Sequence, residues 1–102
     1  MVTLSVLYPS TAGSNFNLDY YLQKHIPLVK ERFGRTGLTA VNVFEGTGTL
    51  EGAAPHFAMI ALLHFASVDD VRASLEKHGA EVVGDIPNFT GVQPVLQLNQ
   101  PL

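Results

Sequence analysis

From Val2 to Tyr8 the chain alternates: Val2, Leu4, Val6 and Tyr8 fall on one side, Thr3, Ser5 and Leu7 on the other, and Pro9 follows. A period of two over this length predicts a β-strand. The stretch STAGSNFN is turn chemistry, with Asn15 or Asn17 able to cap what comes next. From Leu18 the spacing changes to three and four, and Leu18, Tyr21, Leu22, His25, Val29 and Phe33 form the apolar stripe of a helix. Gly34 and Gly37 mark its end near Phe33. LTAVNVFEGTG predicts a second strand, with Leu38, Ala40, Asn42 and Phe44 on one face. Residues 46–55 read as a loop. HFAMIALLHF, from His56 to Phe65, predicts a third strand that is apolar almost throughout.

Ser67 and Asp70 have the spacing of a capping box. They open a second helix with Val68, Val71 and Leu75 as its buried stripe, Gly79 as its close and His78 at its C-terminal end. AEVVGDIPNFTG reads as a short helical turn and a loop, and VQPVLQLNQ as a last strand. The order βαββαβ with right-handed crossovers predicts an α+β fold. It is a ferredoxin-like protomer, a four-stranded antiparallel sheet with both helices on one face, in a single domain over residues 1–102.

Strand three carries a further message. Ala58, Ile60 and Leu62 lie on one face and Phe57, Met59, Ala61 and Leu63 on the other. The helices cover only one face of such a sheet, and the free face ordinarily reads polar. Burial is worth roughly 1.5–3 kcal/mol for each large apolar side chain. The simplest cover is the same face of a second copy, so a homodimer through the sheet face is expected.

Composition supports the buried fraction: 46% of residues are hydrophobic and only 15% charged. The net charge of -3 comes without a basic cluster, which argues against nucleic acid as a partner. With no cysteine, disulfides, thiolate nucleophiles and cysteine metal sites are excluded. The N-terminus lacks the pattern of a signal peptide, and no stretch approaches the ~18 apolar residues of a membrane span. The expected location is the cytoplasm, away from membranes.

The candidate chemistry centres on His25. Pro27 stands two residues later, inside the helical pattern, where proline removes a backbone donor and presses on the preceding turn. The helix is expected to break between the two, with Pro27 opening a second segment and a gap forming beneath, as a small-molecule pocket requires. Tyr21, one turn earlier, shares that wall as the hydrogen-bonding neighbour of His25. Two readings of His25 stand: a satisfied core residue, or an acid–base group whose ordinary pKa suits proton transfer near neutrality. Asn42 is either a buried polar group or a pocket group, and Asp85 either a turn-forming carboxylate or a pocket group. Tyr8, at the end of strand one, can add a hydroxyl to the same pocket. His56 and His64 are too far apart along one strand to share a metal, and no HxH or HExxH pattern exists. No phosphate loop, GxSxG or GxGxxG follows a strand. Neither a metal nor another cofactor is expected.

DYYLQKHIPLV after strand one, together with GDIPNFTGVQPVLQLNQ at the C-terminus, resembles the EthD family of dimeric α+β-barrel proteins. The resemblance runs along nearly the whole chain and rests chiefly on Tyr20, Tyr21, His25, Pro27 and Leu28, and on Asp85 to Phe89. It implies a protomer whose sheet packs on its partner's sheet, and a pocket between sheet and helices. It also implies a place in bacterial oxidative breakdown of small organic compounds, in a family often labelled as oxidoreductases. Relatives on the same barrel include muconolactone-type isomerases and cofactor-free monooxygenases. His25 matches the histidine motif of the methylmuconolactone isomerases, whose cysteine has no counterpart here. Two functions follow. One is an enzyme using His25 acid–base chemistry on a small, apolar, oxygen-bearing ligand. The other is a non-catalytic binding protein that holds such a ligand for a separate oxygenase system.

Overall fold

In the computed structural model, which describes residues 1–11 and 15–102, the alternation of the first strand becomes β1, Val2–Pro9. The expected turn before the first helix lies partly at residues 12–14, outside the described residues. β2 is Leu38–Glu45, β3 Phe57–Phe65 and β4 Val95–Asn99. They form one antiparallel sheet in the order β2-β3-β1-β4, the ferredoxin-like arrangement. Val2 and Leu4 of β1 and Ala61, Leu63 and Phe65 of β3 meet Val29, Phe33, Val71 and Val82 from the helices in one buried core. Among the described residues, no helix packs on the opposite sheet face. Leu62 pairs with Ser5 and Asn42, and Ile60 with Leu7 and Phe44, so the apolar half of this open face is Leu7, Phe44, Ile60, Leu62 and Val95.

The first helix, residues 18–34, is continuous rather than broken, which corrects the expected interruption. It runs as an α-turn at Leu18–Tyr20, a π-helical turn at Tyr21–His25 and an α-helix at Ile26–Gly34. Asn17 caps it by accepting the Tyr20 N–H at 3.0 Å. The Ile26 N–H donates to the Tyr21 carbonyl, five residues back. The physical reason is Pro27. A prolyl ring in a regular helix would collide with the Gln23 carbonyl and leave it without a donor, and widening the preceding turn relieves that contact without ending the helix. The buried stripe is accordingly Tyr21, His25, Ile26, Val29 and Phe33. Leu22, expected on it, is 45% exposed.

Three other expectations change. β2 has an irregular register between Leu38 and Ala40. Leu38 therefore packs on the core with Val41, while Ala40, Asn42 and Phe44 take the open face, paired with His64, Leu62 and Ile60. β3 begins at Phe57, leaving His56 outside it. The second helix runs from Val68 to Gly84 without stopping at Gly79, so His78 lies in its interior. A helical glycine costs about 1 kcal/mol, and burying Val82 one turn further on more than offsets that. Leu75 is half-exposed, and the buried position on that turn is Ser74. The Ser74 hydroxyl donates to the Thr36 carbonyl at 3.2 Å and meets the Thr36 hydroxyl. Ser67 caps this helix as expected, accepting the Asp70 N–H at 3.2 Å.

Candidate functional site

The helices sit over β1 and β3 but leave a cavity of about 460 Å³ between themselves and the sheet. Leu4, Val6 and Tyr8 of β1, Ala61 and Leu63 of β3 and Leu96 of β4 form its floor. Tyr21, His25, Ile26 and Val29 of the first helix and Val82 of the second form its roof, and residues 86–94 close one end. Leu75, Val83 and Leu96 both line the cavity and are exposed, so its mouth opens between the second helix and β4.

At one end stands a polar cluster built from two distant segments. The stretch after the second helix, GDIPNF, makes a single 3-10 turn at Ile86–Asn88. It is held against the entrance to the first helix by the Asn17 N–H donating to the Phe89 carbonyl at 2.7 Å and by a bridge between Phe16 and Thr90. Phe89, Phe16, Tyr8 and Tyr21 pack their rings together, with centroids from 5.0 to 6.0 Å apart. This aromatic block fixes where Asp85 can point. Its Oδ2 lies 3.0 Å from His25 Nδ1. Its Oδ1 accepts from the Tyr20 hydroxyl at 2.7 Å and from Asn88 Nδ2 at 2.9 Å.

The electrostatics follow from that contact set. Burial alone would push the Asp85 carboxyl up, but the hydrogen bonds from Tyr20, Asn88 and His25 outweigh it and hold the pKa below the usual carboxylate value. Asp85 is thus ionised and can only accept, which places the shared proton on His25 Nδ1. His25 sits at ion-pair distance from a carboxylate, yet its own pKa is lowered. Burial, which penalises the imidazolium, exceeds the opposing pull of Asp85. The ring is therefore neutral near pH 7, with its lone pair on Nε2.

Among the described residues, no buried side-chain oxygen or nitrogen lacks a partner. Among the described residues, no hydrogen bond engages His25 Nε2 or the hydroxyls of Tyr8 and Tyr21, although these tyrosines are only 2% and 1% exposed. All three residues line the cavity. Burial raises the pKa of both tyrosines, and at Tyr8 the nearby Tyr21 adds to the effect. Both stay protonated.

The structure thus brings together four of the five residues singled out from the sequence: His25, Tyr21, Tyr8 and Asp85. Tyr21 has a different relation to His25 from the one expected. Its ring stacks on the imidazole at a centroid distance of 5.6 Å, while the hydrogen bond goes to Asp85. Asn42 is elsewhere. It lies on the open sheet face, where its Oδ1 is 2.8 Å from His64 Nε2, and His64 Nδ1 is 2.9 Å from the Thr3 hydroxyl. Tyr20 and Asn88 were missed. Asn88 follows Asp85 by three residues, a spacing that a short turn brings onto one side, and this was the available signal. Among the described residues, no three His, Cys, Asp or Glu side chains cluster as a metal site, and no helix is long and apolar enough to cross a membrane.

Comparison with solved structures places this geometry among known folds. An EthD-like protein from Ralstonia eutropha JMP134 is 35% identical and superposes with a TM-score of 0.90, over 97% of this chain and 89% of that one. An ethyl tert-butyl ether (EthD) family protein from Bacillus halodurans C-125 is 19% identical, with a TM-score of 0.80 over 100% and 99% of the two chains. SnoaB, a cofactor-independent oxygenase from Streptomyces nogalater, shares the fold at 10% identity and a TM-score of 0.64, over 98% and 90% of the chains. No family model matches the sequence, and no curated protein does.

Proposed function

Since the chain belongs to the EthD family, we propose that it is an enzyme of small-molecule catabolism in which His25 moves a proton on a small, apolar, oxygen-bearing ligand bound between sheet and helices. The observation that carries this reading is the division of labour on one imidazole: Nδ1 is held by Asp85, while Nε2 has no partner among the described residues and the ring lines a mainly apolar cavity. A neutral histidine with a fixed tautomer and a free lone pair is what a general base needs. The reaction class is a proton shift or an elimination, which calls on no metal or other cofactor. The working unit in this proposal is a homodimer of single-domain protomers, residues 1–102, joined through the open sheet face, with Leu7, Phe44, Ile60 and Leu62 buried against the same residues of a second copy.

The test is native mass spectrometry of the purified protein, followed by incubation of any released molecule with the wild type and with His25→Gln. Conversion by the wild type alone, at equal occupancy of both proteins, supports the enzyme. Equal conversion by both proteins overturns the assignment of His25. Binding by both and conversion by neither supports the other reading, a carrier for a separate oxygenase system, which the mainly apolar cavity walls would also serve.

A further inference from the structure

We propose that the Tyr8 and Tyr21 hydroxyls together form an oxyanion-holding pair, so that the ligand of this cavity is an enolisable ketone or a phenol whose oxygen lies between them. The inference rests on the base assigned to His25 and adds the chemical class of what that base acts on.

The geometry supplies the argument. The two rings come from different elements, β1 and the first helix, and meet edge to face at a centroid distance of 6.0 Å. Each is packed too tightly to turn freely: Tyr8 against Phe16 and Phe89, Tyr21 against Phe16, Phe89 and His25. Both residues line the cavity together with His25, and neither hydroxyl has a hydrogen-bond partner among the described residues. A polar group facing an apolar cavity without a partner is costly unless water or a ligand satisfies it. Two such donors on closely packed rings, lining one cavity with a base, suit a carbonyl that becomes an enolate. Because burial disfavours ionisation of both tyrosines, they remain donors while charge develops on the ligand. Preorganised donors in a low-dielectric site are the strongest source of such stabilisation.

The step balances within the residues named. His25 Nε2 removes a proton from the carbon next to the carbonyl, and an N–H bond forms as the C–H bond breaks. The electron pair moves into the new C=C bond while the carbonyl pair shifts to oxygen, where Tyr8 and Tyr21 donate to it. Asp85 stabilises the imidazolium through Nδ1. Return of the proton to a different atom gives the isomer and restores neutral His25. No oxidant or reductant takes part.

The experiment uses para-nitrophenolate as the oxyanion probe and nitrobenzene as its neutral counterpart, with wild type, Tyr8→Phe and Tyr21→Phe. Each substitution is expected to weaken phenolate binding about 10-fold or more, the usual consequence of losing a hydrogen bond to a charged group, while nitrobenzene binding is unchanged. Unchanged phenolate affinity in both variants overturns the proposal. If either substitution impairs folding, protein made with meta-fluorotyrosine keeps every ring and hydroxyl and makes the donors more acidic. It should bind the phenolate more tightly and nitrobenzene equally, and a failure to tighten overturns the proposal. His25→Gln separates the two readings. It should retain phenolate binding but lose deuterium exchange at the α-carbon of β-tetralone. Exchange that persists in His25→Gln, alongside weakened phenolate binding in the tyrosine variants, would remove the base and leave the hydroxyl pair standing. Lost exchange with unchanged phenolate binding would do the reverse.

Discussion

His25 Nδ1 lies 3.0 Å from Asp85 Oδ2, although 60 residues separate the two along the chain. The contact joins a π-helical turn in the first helix to a single turn of helix after the second. The protonation states of His25 and Asp85 both depend on it. The carboxylate is held ionised by three donors, and the imidazole is held neutral by burial with its proton on the carboxylate side.

Replacing Asp85 with Asn should lower the His25 pKa further. Burial already depresses it, and Asp85 is what opposes that depression. The Tyr20 pKa, raised chiefly by its hydrogen bond to Asp85, should move back toward its ordinary value. An NMR titration of the imidazole and phenol resonances checks both. A His25 pKa that rises on this substitution would contradict the contact.

Stability should fall on the acid side in two stages. For His25 the folded pKa is below the unfolded one, so between them the unfolded chain binds more protons and stability drops as pH falls below about 6.5. For Asp85 the folded pKa is also depressed. Its contribution is complete above about 4 and is lost as pH drops through the folded value. Melting temperature measured against pH for the wild type and His25→Gln isolates the first stage as their difference. A difference that stays constant from pH 7 to pH 5 would count against the buried neutral imidazole.

Ser74→Ala should cost about 1–2 kcal/mol, since it leaves the Thr36 groups beneath the second helix short of a partner. Ser74 is 0% exposed, so water cannot replace the hydroxyl without a rearrangement. Urea unfolding should show a lower midpoint at an unchanged slope.

Ile60→Asp should convert the proposed dimer to a monomer, because it sets two carboxylates into the apolar half of a face that would be buried against its own copy. Sedimentation velocity reads this directly. A wild type that sediments as a monomer would remove the sheet-face interface, and the mutation would then leave the sedimentation coefficient unchanged.

Element types and their order were determined by local patterns. Alternation in β1, the three-and-four spacing after Leu18 and the Ser67 cap depend on neighbours within a few residues, so periodicity and capping report them directly. The two-faced apolar character of β3 was legible for the same reason, as was the place of His25 on a buried stripe. The tertiary structure decided the rest. Pro27 announced a disturbance, but only the cost of ending a helix whose far half buries Val29 and Phe33 made that disturbance a widened turn rather than a break. A shift in strand register moved Asn42 onto the open sheet face, because one irregular residue in β2 reverses every side chain after it. Asp85 and His25 each carried a signal in the sequence, yet nothing local joins them. Their pairing arises from the aromatic block of Tyr8, Phe16, Tyr21 and Phe89, which locks the loop after the second helix onto the start of the first, and such long-range packing leaves no period in the chain to read.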